Sequence, residues 1–330
     1  MTRTALTSNP EELARLERDS VRAARAAQRF AAAVLVLALG VLWSIGREPI
    51  PESIGEAGGP ATSAIEAPTP ADAGGAADLP PQGGALVPPP PALTEAPPGM
   101  VAVPAGSFVM GRADGGEDER PPHEVTLGAY FIDATEVTVD AYLACVERGP
   151  CRAPGPRCPG PGADRPTHPV ACVDWNQAQS YCSWVGKRLP TEAEWEKAAR
   201  GGDQRPYPWG HAPPTCVRVA FNDRGEDPGA VRGCGRGASW PVGSFAAGAS
   251  PYGALDMAGN VWEWVADHWS PDYYAESPRT DPSGPESGDM RVRRGGSWRS
   301  LGVFLPSAVR GRMDPAERNE IVGFRCAKSP

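Results

Sequence analysis

The pattern of apolar and polar positions divides the chain into regions of different character. Residues 30–45, FAAAVLVLALGVLWSI, form an apolar run without a charge. Residues 47–99 carry no apolar periodicity that could build a core. From Met100 the pattern becomes that of a folded domain. Met100–Val103 and Ser107–Met110 flank Pro104-Ala105-Gly106, which predicts a hairpin. VTLGAYFIDATEVTV supplies further strand-like alternation. Thr138 then caps a predicted helix with apolar positions at Val139, Tyr142, Leu143 and Val146, and Gly149 suits its end. A second helix is marked by Trp175, Ala178, Tyr181, Cys182 and Val185, followed by Gly186. A third begins at Thr191, where Thr191 and Glu194 form the capping box T-x-x-E and each side chain satisfies a free amide. Trp195, Ala198 and Ala199 form its inner face, and Gly201-Gly202 ends it. Beyond residue 201, Gly, Pro, Asn and Asp turns dominate. The expectation is an α+β domain with small sheets and little regular secondary structure.

The apolar run is short for a membrane span, but Ala26, Ala27 and Gly46 extend it toward the ~20 residues needed. A region of 29 residues precedes it and no small-x-small cleavage site follows, so an uncleaved signal anchor over 30–46 is favoured over a cleaved signal peptide. Arg22, Arg25 and Arg29 lie before it, while Glu48, Glu52 and Glu56 outnumber Arg47 after it. The positive-inside rule then places residues 1–29 in the cytoplasm and exports the rest to the periplasm or cell exterior. Residues 47–98, rich in Pro, Ala and Gly, read as a disordered linker with polyproline II character. Fully extended, it would hold the domain at 99–330 on the order of 150 Å from the membrane.

Proline and glycine number 39 each, nearly a quarter of the 330 residues. The roughly 230 residues after the linker suffice for one substantial core. A net charge of −8 argues against a nucleic-acid surface, which needs clustered Lys and Arg. All eight cysteines lie between Cys145 and Cys326. An even count in one loop-rich domain points to disulfides in an oxidising compartment. Structural zinc is disfavoured, because no paired CxxC occurs and the histidines (His123, His168, His211, His268) are scattered. Cys216 and Cys234 flank a Gly- and Asp-rich loop and are expected to pair. Cys145, Cys151, Cys158 and Cys172 allow three connectivities, of which 145–151 with 158–172 is the expected one.

Several motifs occur in a fixed order: MVAVPAGSFVMG, ATEVTVDAY, PVACVDWNQAQSYCSWVGKRLPTEAEWEKAARGG, ALDMAGNVWEWVAD, VRRGGSW and GFRC. Together they cover about residues 99–327 and resemble the formylglycine-generating, or sulfatase-modifying-factor, family. The resemblance implies a C-type-lectin-like α+β fold stapled by disulfides, including one between Cys182 and Cys326. Such a bridge would stabilise by roughly 4–5 kcal/mol in the chain-entropy account. It also implies a calcium ion held by the Asp256 and Glu263 side chains and the Gly259 and Val261 carbonyls, hard oxygen ligands that suit that ion. In the family's other calcium site, an acidic ligand falls near Cys234, so that site is expected to be lost.

The activity implied by the family is oxidation of a substrate-protein cysteine to formylglycine with copper and oxygen. Its two reactive cysteines fall at Ser300 and Leu305, and residues 235–325 contain no cysteine. Copper(I) prefers thiolates, which neither residue supplies. Ser297 is retained, but a serine alone does not bind copper. No G-x-S-x-G elbow suggests a hydrolase, and neither His168 nor His268 has a recognisable partner for general-base work. The expectation is a membrane-anchored binding or accessory module for a protein, peptide or glycan, with a formylglycine-generating oxidase or another enzyme in the same groove as the alternative.

Overall fold

In the computed structural model, β1 (Met100–Val103) lies antiparallel to β4 (Tyr130–Asp133), with Met100 opposite Asp133. The structure describes residues 95–155, 162–225, 229 and 231–330. The expected cytoplasmic segment, signal anchor and nearly all of the linker, together with Cys158, lie outside the described residues. Among the described residues, no helix is long and apolar enough to cross a membrane.

β2 (Gly106–Met110) pairs with β3 (His123–Leu127), in a different sheet from β1. The hairpin expected around Pro104 is therefore not formed. The Lys197 ammonium donates to the carbonyls of both Pro104 and Gly106, each at 2.8 Å, and pins the bend. Gly106 takes φ 137°, which breaks the strand direction there. β9 (Ala327–Lys328) completes the first sheet on the other side of β4.

The three expected helices are present. α1 (Val139–Glu147) is capped by the Thr138 hydroxyl, which accepts the Ala141 amide. α2 (Trp175–Trp184) carries an Asp174/Gln177 capping box. α3 (Glu192–Arg200) carries the Thr191/Glu194 box and ends at Gly201, φ 69°. A short helix α4 (Tyr273–Glu276) follows. The main sheet contains β5 (Trp262–His268), β6 (Arg291–Arg294), β7 (Arg310–Met313) and β8 (Val322–Phe324), in the order β7-β6-β5-β8. β5 and β8 run parallel, and the other pairs are antiparallel.

Two apolar clusters hold these parts together. In one, Trp195 and Ala198 of α3 pack with Met110, Val125, Tyr130 and Val292. In the other, Tyr142, Cys182, Trp264 and Phe324 join α1 and α2 to the main sheet. Burying such large side chains is worth several kcal/mol each, so these contacts stabilise more than the short strands could alone. Disulfides join Cys145 to Cys151, Cys182 to Cys326 and Cys216 to Cys234. Cys172 is disulfide-bonded as well.

α3 is buried along its whole length, including Glu192, Glu196 and Arg200. Buried charges need partners, and these have them. Arg294 donates to both Glu192 and Glu196. Arg310 pairs with Glu192 at 2.7 Å, and Arg200 with Glu196 at 2.8 Å. Burial alone would raise the Glu192 pKa, but Arg310 and Arg294 beside it hold it below the usual carboxylate range. This network fastens α3 to the strand that leads into the candidate site.

Candidate functional site

The segment Arg294-Gly295-Gly296-Ser297-Trp298 leaves β6 through two left-handed glycines, with φ 95° and 79°. A side chain on Gly296 would meet Leu305 Cδ2 at 2.9 Å and the Phe304 carbonyl at 3.0 Å, so the following loop packs directly on bare backbone. That loop and β6 enclose a pocket of about 380 Å³. Its lining includes Asn222, Trp262, Arg232, Arg293, Ser297, Arg299, Ser300 and Phe304.

Ser300 and Ser297 hold the pocket's turn closed. The Ser300 hydroxyl accepts the Ser297 amide at 3.0 Å and lies 3.1 Å from the Ser297 hydroxyl. The Ser300 carbonyl accepts the Asn222 amide at 2.9 Å. These contacts are those of a turn cap, and no side chain that could take a proton touches either hydroxyl among the described residues. Leu305 does not line the pocket. It is fully buried against Val219, Phe221 and Ala258.

The copper implied by the family therefore does not fit these residues. The described lining holds no thiol, imidazole or carboxylate. Ser300 offers a hard hydroxyl and Leu305 an alkyl group turned into the core, whereas copper(I) takes soft ligands. Cys182 and Cys326 are bonded to each other and supply no thiolate. Asp223 lies beside Cys216 and Cys234, but both sulfurs are in a disulfide.

The residues expected to hold calcium lie on the turn leading into β5 and at its start. Asp256 and Gly259 take φ 58° and 71°, and Asn260 takes φ 52°. A Cβ on Gly259 would come within 2.2 Å of the Ala220 carbonyl, so only glycine fits this turn. The Asn260 carbonyl accepts the Trp298 amide at 2.8 Å, which ties the turn to the pocket. Asp256 accepts the Gly243 amide at 2.6 Å. Glu263 is gripped by Arg325 through both oxygens, at 2.7 and 2.8 Å, and also by the Trp195 indole at 2.8 Å.

Sequence reasoning missed Glu136. It is buried, and no amide, hydroxyl or guanidinium reaches either carboxylate oxygen; only the Asp256 carboxyl lies close enough to share a proton with it. Burial pushes its pKa well up, and the nearby Asp256 and Glu263 charges push it further, against Arg325. Burial also raises Asp256. Two buried acids side by side are hard oxygen donors of the kind that suits a calcium ion. Glu136, Asp256, Gly259 and Val261 are thus the residues that would hold calcium, with Glu263 already occupied by Arg325. The signal available in the sequence was ATEV, one of the ordered motifs, which was read only as strand and helix start.

The histidines stay outside this site. His168 is buried, 3.0 Å from the Ser239 hydroxyl, and burial lowers its pKa. His268 has a buried Nδ1 without a partner. Neither lines the pocket.

Residues 87–330 match the sulfatase-modifying factor enzyme 1-like domain. The chain belongs to this family. A formylglycine-generating enzyme from Thermomonospora curvata is 39% identical over 293 residues, covering 70% of this chain and 94% of that protein. A protein from Chlamydia caviae named serine/threonine-protein kinase pkn1 is 37% identical, covering 73% of this chain but only 39% of its own length. Among solved structures, PvdO from Pseudomonas aeruginosa superposes with a TM-score of 0.60 at 30% identity, covering 70% of this chain and 94% of PvdO. The fold of the sulfatase-modifying-factor family, C-type-lectin-like and poor in regular structure, is the fold of this domain.

Proposed function

We propose that this chain is a membrane-anchored, exported member of the sulfatase-modifying-factor family whose domain binds a ligand without oxidising it. The observation that carries the reading is the pair of family cysteine positions. Ser300 is a turn cap and Leu305 is core, while the scaffold around them is intact. The uncleaved signal anchor and the linker, read from residues 30–98, place the domain in the periplasm or outside the cell on a long tether. The disulfides suit that compartment. The match to part of a protein named as a kinase supports use of this fold outside formylglycine formation.

The alternative is a formylglycine-generating oxidase, or another enzyme in the same groove. Identity of 39% to a formylglycine-generating enzyme favours it. The absence of a soft ligand from the described lining opposes it. The same reading includes one calcium ion at Glu136, Asp256, Gly259 and Val261, which would neutralise the buried acids and fix the turn that leads into β5.

The test uses the detergent-solubilised full-length chain with copper(I), oxygen and a peptide containing CxPxR. Mass spectrometry should find no formylglycine. Turnover that survives Ser300→Ala would overturn the reading.

A further inference from the structure

Three guanidinium groups, those of Arg232, Arg293 and Arg299, line the pocket, in a chain whose net charge is −8. Among the described residues, only Arg299 of the three forms an ion pair, with Glu320 at 2.5 Å. Arg293 is half-buried and, with only the exposed Glu317 acting on it through space, forms no ion pair among the described residues. Its contacts are a 3.7 Å approach to the Met313 sulfur and the face of Trp262 at 4.9 Å, and its Nε is buried without a partner. Burial lowers its pKa, yet an arginine remains cationic at any physiological pH. Among the described residues, Arg232 makes no ion pair.

The pocket is shaped for Arg293. A Cβ on Gly311 would meet Arg293 Cγ at 2.9 Å and Trp262 at 3.1 Å, so the bare backbone of β7 is what lets both side chains lie across the sheet. Keeping a half-buried cation without a contacting counter-charge costs free energy that a bound anion would return. The other wall is apolar, formed by Trp262, Leu301, Phe304 and Ile321. At its rim Val303 and Phe304 are 68% and 46% exposed. A free inorganic anion would use the arginines and leave that apolar rim bare. A longer ligand uses both.

We propose that this pocket receives an acidic peptide segment, with one carboxylate against Arg293 and Arg232 and a neighbouring apolar side chain on Phe304 and Trp262. The assignment rests on the binding-module reading above and names the chemistry of its ligand. The family's oxidised substrate cysteine plays no part in it.

The test is fluorescence anisotropy on the solubilised full-length chain. One probe is a labelled hexapeptide with adjacent glutamate and phenylalanine, and the other is its glutamine twin. The glutamate peptide should bind at least about tenfold more tightly, and Arg293→Gln should remove that preference. Arg293→Lys should keep part of it, because the point charge remains while the fork and the stacking are lost. Arg232→Gln, at a second position, guards against a folding defect at Arg293. Arg148→Gln, on the distant Trp184 face, should change nothing. Equal affinity for both peptides, no binding of the acidic one, or displacement of it by inorganic phosphate at equal concentration would each overturn the proposal. Formylglycine is measured in parallel on the same protein preparation with the CxPxR peptide, copper(I) and oxygen. Its appearance breaks the non-catalytic reading, whereas absent binding without formylglycine breaks only the peptide assignment.

Discussion

Arg293 and Arg294 are neighbours on β6 and face opposite ways. Arg294 points inward and meets Glu192 and Glu196, with the carbonyls of Ser307 and Ala308 as further acceptors. Arg293 points toward the pocket and meets an indole face and a thioether. Strand alternation makes this split automatic, because successive side chains lie on opposite faces. What differs is the supply of acid. α3 delivers two carboxylates to the inner face, whereas among the described residues none comes within ion-pair distance of Arg293 and only the exposed Glu317 acts on it from farther off. A buried cation matched by acids is part of the scaffold, and an unmatched one at a cavity is poised for a ligand.

The comparison can be broken most severely from the scaffold side. Replacing Cys182 and Cys326 together by serine releases the bridge that ties α2 to the chain's end, across a sequence separation of 144 residues. It should cost roughly 4–5 kcal/mol, read by urea denaturation. Arg294→Met leaves Glu192 and Glu196 short of a partner in a dry site. It should cost about 3–5 kcal/mol by the same measurement. If Arg294→Met were as mild as a surface change, the inner network would not be the anchor of α3.

A smaller effect concerns pH and calcium. The folded pKa values of Glu136, Asp256 and Asp267 are raised, chiefly by burial. As pH rises through ~4, their unfolded counterparts ionise while the folded groups stay protonated. Metal-free stability should therefore fall as pH rises above ~4, by up to about 1.4 kcal/mol per unit for each group, and level off above the folded values. Below ~4 these groups are protonated in both states and contribute no slope. Glu192, held low, acts in the opposite sense: its contribution is lost as pH falls through the unfolded value near ~4, and it adds no slope once both states are ionised above that. Calcium should flatten the decline and raise the melting temperature, and Asp256→Ala should abolish both effects. A melting temperature indifferent to chelator and to Asp256→Ala would remove the cation. The smallest effect is on the pocket side. Arg293→Gln should change stability by no more than ~0.5 kcal/mol, because no ion pair is lost, while removing acidic-peptide binding.

The contrast also explains what was legible in the sequence. Capping at Thr138 and Thr191 is local chemistry, and both caps form as read. The Asp174/Gln177 box was equally local and was overlooked behind the aromatic spacing. The Pro104 hairpin failed because the strands found partners elsewhere and Lys197 fixed the bend, a contact spanning about ninety residues. Ser300 and Leu305 were located by motif order, but only the packing shows that Leu305 faces the core and not the pocket. Glu136 and Arg293 sit in ordered motifs, but nothing local marks them or Arg232 as lacking a partner, since that is decided by neighbours that arrive from other strands and loops.

The most direct test of the central claim, an intact scaffold stripped of its soft metal site, is a copper(I) titration against a chromogenic chelator. The full-length chain should fail to withdraw copper, and Ser300→Ala should leave that result unchanged. Stoichiometric copper(I) binding by the unaltered chain, lost on Ser300→Ala, would contradict the account.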